Sequence, residues 1–149
     1  MIWKPNVTVA AIVERDGRFL LVEEHTTRGQ QFNQPAGHLD PGESLVHAVT
    51  RETLEETACS FEPTGLLGLY QYHSGADDVT YIRFAFTGRL GGPEPGRPRD
   101  AGIIRAVWLT LEEIRREAPR HRSPLVMRCI DDYLAGRGFP LDVIHHHPS

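Results

Sequence analysis

The stretch SLVHAVTRETLEET, residues 44–57, reads as a helix set among strand-like runs, and it carries its apolar residues and its acids on one stripe. With Leu45 at zero and about 100° per residue, Ala48 and Val49 fall at about 300° and 40°, and Glu52, Glu55 and Glu56 at about 340°, 280° and 20°. A helix with a solvated polar side would place its acids opposite the apolar stripe. Here the stripe that must be buried runs directly into three carboxylates. Like charges three and four residues apart repel, and acids in a last helical turn oppose the helix dipole. One reading is a helix end that emerges into solvent. The other is a cation held between adjacent turns, since carboxylate oxygens are the donors that Mg²⁺ or Mn²⁺ prefers.

The surrounding sequence says what that helix packs on. VTVAAIV (7–13) and RFLLV (18–22) are strand-like and flank ERDG, a hairpin turn signal. Residues 26–43 are dense in Gly, Pro, Asn and Gln and read mostly as loop. Two more strands are expected at 65–72 and 79–90, a Gly- and Pro-rich loop at 91–102, and a strand at 103–109. Along 79–86 both alternating faces are partly apolar, as in a strand covered on two sides. Thr110 and Glu113 form a capping box for a short helix. Ser123, Pro124 and Gly136 bracket another, with Leu125, Val126, Cys129, Ile130, Tyr133 and Leu134 as its core face. Strands on both sides of a helix, with further helices at the end, predict an α/β sandwich with a mixed sheet.

The 149 residues suit one domain, and 40% hydrophobic with 24% charged residues is an ordinary globular composition. A formal charge of −4 offers no basic face for nucleic acid. Cys59 and Cys129 make neither a disulfide framework nor a CxxC pair. No signal-peptide pattern and no membrane-length apolar run is present, so a cytoplasmic protein without a membrane partner is expected.

Spacing sharpens the reading of the acids. Gly37 is followed by Glu43, and then by Arg51, Glu52, Glu55 and Glu56. These six positions resemble the box of the Nudix hydrolase family, and PNVTVAAIVERDGRFLLVEE, FNQPAGHLDPGESL, RSPLV and GFPLDVI extend the resemblance to its NudJ-type branch over nearly the whole chain. Thr53 stands where an aliphatic residue is common, and Ala58 where Gly closes the helix. The resemblance implies a single domain over 1–149, an α/β/α sandwich with a mixed sheet and a catalytic loop–helix–loop. It also implies a Mg²⁺-dependent (or Mn²⁺-dependent) pyrophosphohydrolase. For the NudJ-type branch it implies small substrates such as thiamine or its pyrimidine-precursor pyrophosphate and nucleoside di- and triphosphates. It implies Glu52, Glu55 and Glu56 as metal ligands with the carbonyl of Ala36, Arg51 orienting a Glu, and Glu43 supporting from the loop. Monomers and homodimers are both compatible with it. The alternative is a catalytically silent nucleotide-binding regulatory domain; silent members typically lack Glu residues of the box, and here all are present.

Outside the box the candidates are weaker. Glu52, Asp77, Asp78 or Asp100 could serve as general base, although the three aspartates also suit solvated turns. Arg28 and His38 could contact phosphate. Gln34 and Asn33 could read a ring edge, and Trp3, Phe32 or Tyr72 could stack on a ring, with core packing the plainer reading of each aromatic. His145–His147 has metal-binding composition, yet its place near the chain end favours a simple tail.

Overall fold

The computed structural model describes residues 1–149. Nine strands are present: β1 (Asn6–Ile12), β2 (Glu14–Arg15), β3 (Arg18–Thr26), β4 (Gly29–Asn33), β5 (Ala36–His38), β6 (Cys59–Ser74), β7 (Val79–Pro93), β8 (Ile103–Thr110) and β9 (Phe139–Pro140). Three helices accompany them: α1 (Leu45–Thr57), α2 (Leu111–Arg116) and α3 (Leu125–Leu134). One sheet runs β5-β1-β7-β6-β9, with β1 and β7 parallel and the other pairs antiparallel, so it is mixed. The second places β3 between β4 and β8, with β2 folded onto its start.

Helices cover both faces. Val9, Ala11, Leu20 and Phe86 pack with Ala48 and Val49 of α1. Ala10, Ile12, Phe19, Leu21 and Ala85 pack with Ile114 of α2 and with Cys129 and Ile130 of α3. Alternate residues of β1 therefore feed two cores, and each large side chain so buried contributes about 1.5–3 kcal/mol.

The expected 7–13/18–22 hairpin forms only at its turn. Asp16 and Gly17 both take positive φ (53° and 77°), the two-residue turn that matches strand twist, but it joins β3 to the short β2 alone. Residues 9–13 are at most 5% exposed, and β1 lies inside the other sheet with β5 and β7 on its two edges. The stretch 26–43 is likewise less of a loop than expected, because it holds β4 and β5. Polar Gln30 and Gln31 are strand residues because β3 supplies them with backbone partners. β6 begins at Cys59 and β7 ends at Pro93, both beyond the expected bounds, and bulges in their ladder absorb the glycines and Pro63. At Gly88 any Cβ would lie 2.1 Å from the Glu62 carbonyl oxygen.

The Thr110/Glu113 capping box is made from both sides, at 3.2 and 2.9 Å. α3 starts one residue later than expected, with Pro124 in helical conformation and the Leu125 N–H bonded to Ser123 Oγ. Its buried face holds Leu125, Val126, Cys129 and Ile130, while Leu134 is 49% exposed and does not join the core. Asp132 is buried on that helix instead, accepting a hydrogen bond from the Tyr70 hydroxyl at 2.8 Å.

Candidate active site

Helix α1 is positioned by its apolar half. Ala48 and Val49 are fully buried, and Ser44 caps the helix by accepting from the His47 N–H at 3.1 Å. Thr53 and Thr57 are buried too, and each hydroxyl donates to the carbonyl four residues back, Val49 and Thr53, at 2.7 Å. That bond is why a hydroxyl residue fits where an aliphatic one was expected. The helix ends on Ala58 in the left-handed region (φ 63°, ψ 13°), its N–H bonded to the Leu54 carbonyl. An alanine thus holds a geometry glycine adopts more readily.

Arg51 is the hub of the acidic end. Its Nε and Nη2 grip both carboxylate oxygens of Glu43 at 2.6 and 2.9 Å. Nη2 also reaches the His38 carbonyl at 3.0 Å, and Nη1 the Glu52 carboxylate at 2.7 Å and Glu55 at 3.3 Å. Glu43 further accepts from the Asp40 N–H and meets the His47 ring. The Arg51 hydrogen bonds hold Glu43 far below the usual carboxylate range, at about 2, against the opposing effect of burial.

Glu56 is the carboxylate Arg51 does not reach. It is 7% exposed, accepts one hydrogen bond, from the Ala36 N–H at 3.0 Å, and faces no cation. Burial pushes its pKa up to about 9, and the charges of Glu24, Glu52 and Asp100 push the same way. Burial raises Glu52 as well, outweighing Arg51. Gly37 closes the gap between strand and helix: a Cβ there would sit 2.1 Å from the Glu52 carboxyl carbon.

These groups open on a cleft of about 360 Å³, within the range of small-ligand sites. Glu52, Glu56, Ala36, Gly37, His38, Arg28 and Tyr72 all line it, whereas Glu43, Arg51 and Glu55 are not part of the lining. Gln34, expected to read a substrate ring, is buried outside the cleft; its amide bonds the Val126 carbonyl and its oxygen accepts from Arg83. Asn33 does reach the lining. Phe32 is core, under the Arg120 guanidinium, and Trp3 is 71% exposed, away from both core and cleft. Asp77 lines the cleft, Asp78 turns to His73, and the Asp100 N–H bonds the Glu55 carbonyl beside the acids.

Sequence reasoning missed Glu24, Tyr81, Arg83 and Arg122, all in the lining. Glu24 is buried and paired with Arg122 from the segment before α3, nearly a hundred residues away. Arg83 did leave a signal: a charged residue in the middle of a strand with two apolar faces.

The Nudix domain family matches residues 3–129. The chain is also 40% identical over 142 residues, 95% of its length, to phosphatase NudJ of Escherichia coli, covering 92% of that protein. The chain is a Nudix hydrolase. Such enzymes are hydrolases of phosphorus-containing anhydrides. A Nudix hydrolase from Nitrosomonas europaea superposes with a TM-score of 0.94 at 49% identity, over 97% of this chain and 98% of that one. The Nudix domain of Shewanella oneidensis NrtR, solved with ADP ribose, shares the fold at a TM-score of 0.72 and 17% identity, over 91% of this chain and 90% of that one.

Nudix hydrolases generally use a divalent metal. The residues of this one suit a hard cation, with two partly desolvated carboxylates, Glu52 and Glu56, and an excess of acid over base around them. No three acidic or imidazole groups converge in the present rotamers, because Arg51 holds Glu52 and Glu55 toward itself. No helix is long and apolar enough to cross a membrane.

Proposed function

We propose that this Nudix hydrolase cleaves the phosphoanhydride bond of small organic diphosphates with Mg²⁺, or Mn²⁺ in its place. The substrates would be thiamine or its pyrimidine-precursor pyrophosphate and nucleoside di- and triphosphates. The observation that carries the reading is Glu56: a buried carboxylate without a cationic partner, lining a cleft that also holds the acids Glu24, Glu52 and Asp77 and the arginines Arg28, Arg83 and Arg122. Similarity to phosphatase NudJ over most of both chains supports hydrolysis at a phosphorus centre.

In this reading Glu52 and Glu56 hold the cation, with Glu55 and the Ala36 carbonyl completing its protein ligands. The bound cation supplies Lewis-acid polarisation of the phosphoryl oxygens and acidifies water. Arg51 orients Glu52, and Glu43 fixes Arg51 through its two-point grip. Glu52 is the first candidate to accept the proton of the attacking water, and Asp100, close enough to raise both Glu52 and Glu56, is the second. Water attacks phosphorus, the bridging P–O bond breaks, and the proton goes to that carboxylate. Arg28 and His38 face the phosphates, and Tyr72 packs against the organic group. The protein acts in the cytoplasm as a monomer or homodimer, without nucleic acid or membrane.

The test is a panel of thiamine, pyrimidine-precursor and nucleoside pyrophosphates with Mg²⁺, scored by released phosphate. Turnover of at least one is expected, and Glu56→Gln should lower it by at least about 100-fold, since even residues behind a metal's ligands change activity 10–100-fold. A Glu56→Gln protein as active as its parent would remove the proposed metal site.

A further inference from the structure

Arg83 is the residue of the cleft that neither the box nor the fold accounts for. It projects from β7 into the lining, yet the residue is only 5% exposed. Its hydrogen-bond partners are all uncharged: Nη1 donates to Gln34 Oε1 at 2.9 Å and lies 3.8 Å from Cys129 Sγ, and Nη2 donates to Asn33 Oδ1 at 2.9 Å. The two buried acids of β3 are treated differently. Glu24 is paired with Arg122, and Glu23 with Arg105 and Arg120. Arg83 makes no ion pair. A guanidinium carries five N–H donors, so the Nε–H and one Nη2–H have no acceptor from the protein. Burying a charge without an opposite one is costly, and these two donors sit on neighbouring nitrogens, as a two-point grip on phosphoryl oxygens requires.

Its position suits that task. Thr8 of β1 is in register with both His38 and Arg83, so these residues form one row across the cleft floor. The next row, about 7 Å along the strands, contains Ala36, whose N–H holds Glu56. On the other side lie Tyr81 and Tyr72, directly paired across β7 and β6.

We propose that Arg83 is a substrate-binding residue that takes the phosphoryl group remote from the acidic end, with Tyr72 and Tyr81 beyond it facing the organic moiety. This rests on the diphosphate reading above. Gln34 and Asn33 are positioning residues that hold the guanidinium, which gives the glutamine buried outside the cleft a role.

Binding and turnover separate the two readings. Metal-free protein in EDTA is titrated with inorganic pyrophosphate by calorimetry, for the parent, Arg83→Gln and Arg83→Lys. In parallel the Nε–Hε resonance of Arg83 in the ¹⁵N-labelled parent is followed. Arg83→Gln should weaken pyrophosphate binding by about tenfold or more, the worth of a charged hydrogen bond, with Arg83→Lys in between. With Mg²⁺ and any substrate found, KM should rise by a similar factor while kcat changes by less than about threefold. The resonance should shift on titration. If folded Arg83→Gln binds pyrophosphate like the parent, or the Arg83 resonance is unmoved at saturation, the residue is only a strut and the proposal falls. Should Arg83→Gln fail to fold, the resonance of the parent decides alone. If the parent hydrolyses no diphosphate, the proposed function fails while the titration still decides Arg83.

Discussion

Ala58 shows how one residue can hold a conformation it disfavours. For an L-residue the left-handed region costs about 1–2 kcal/mol, which glycine avoids. The conformation is imposed from both sides, by the Leu54 carbonyl that accepts the Ala58 N–H and by the Ala58 carbonyl that accepts the Glu94 N–H. Ala58→Gly should therefore stabilise the protein by roughly 1 kcal/mol, less a small loss of buried methyl surface, and raise Tm by roughly 2–4 °C. Thermal melts of the two proteins check it, and an unchanged or lower Tm would mean that the methyl packing outweighs the backbone strain.

At the scale of the element, α1 and the loop before it are joined by the Glu43–Arg51 pair, which bridges eight residues. Glu43 sits at about 2 in the folded protein and near the ordinary carboxylate value when unfolded. A carboxylate lowered on folding contributes stability in full above its unfolded pKa, and that contribution is lost as pH falls from about 4.5 towards 2. Urea unfolding from pH 7 to pH 2.5 should show Glu43→Gln less stable than the parent by roughly 2 kcal/mol at pH 7, with the difference shrinking through that acid window. A difference independent of pH would show that the ion pair is not its source. The same pair bears on chemistry, because a freed Arg51 would lose the anchor from which it holds Glu52.

For the whole molecule the decisive charge is Glu56, set where α1, β5 and β3 meet. Its pKa of about 9 lies above the unfolded value, so the metal-free folded state keeps a proton that the unfolded chain releases. Stability from this group is full below about pH 4.5 and declines as pH rises to about 9. In EDTA, Glu56→Gln should remove that decline. A divalent cation binds the ionised form and displaces the proton, so the rise in Tm on adding Mg²⁺ should be larger at pH 8.5 than at pH 6. Equal rises at both values, or a parent and Glu56→Gln stabilised alike, would argue that the cation binds elsewhere.

Periodicity and spacing along the chain were enough to determine the local features. The acidic stripe of α1, the Thr110/Glu113 cap, the apolar face of α3 up to Tyr133 and the six-position box are short-range patterns, and a 3.6-residue period or a fixed offset survives in any environment. Both-sided burial of β7 was legible for the same reason. Tertiary structure decided what depends on partners distant in sequence. β1 left the expected hairpin because a fully buried strand needs backbone partners on both edges, which β5 and β7 supply, and polar β4 became a strand because β3 offered it a ladder. Glu24 entered the cleft wall through Arg122, and Gln34 left the site because Arg83 and Val126 occupy both ends of its amide. Long-range pairing of charges and hydrogen bonds is set by where the chain returns in space, and no local pattern encodes that return.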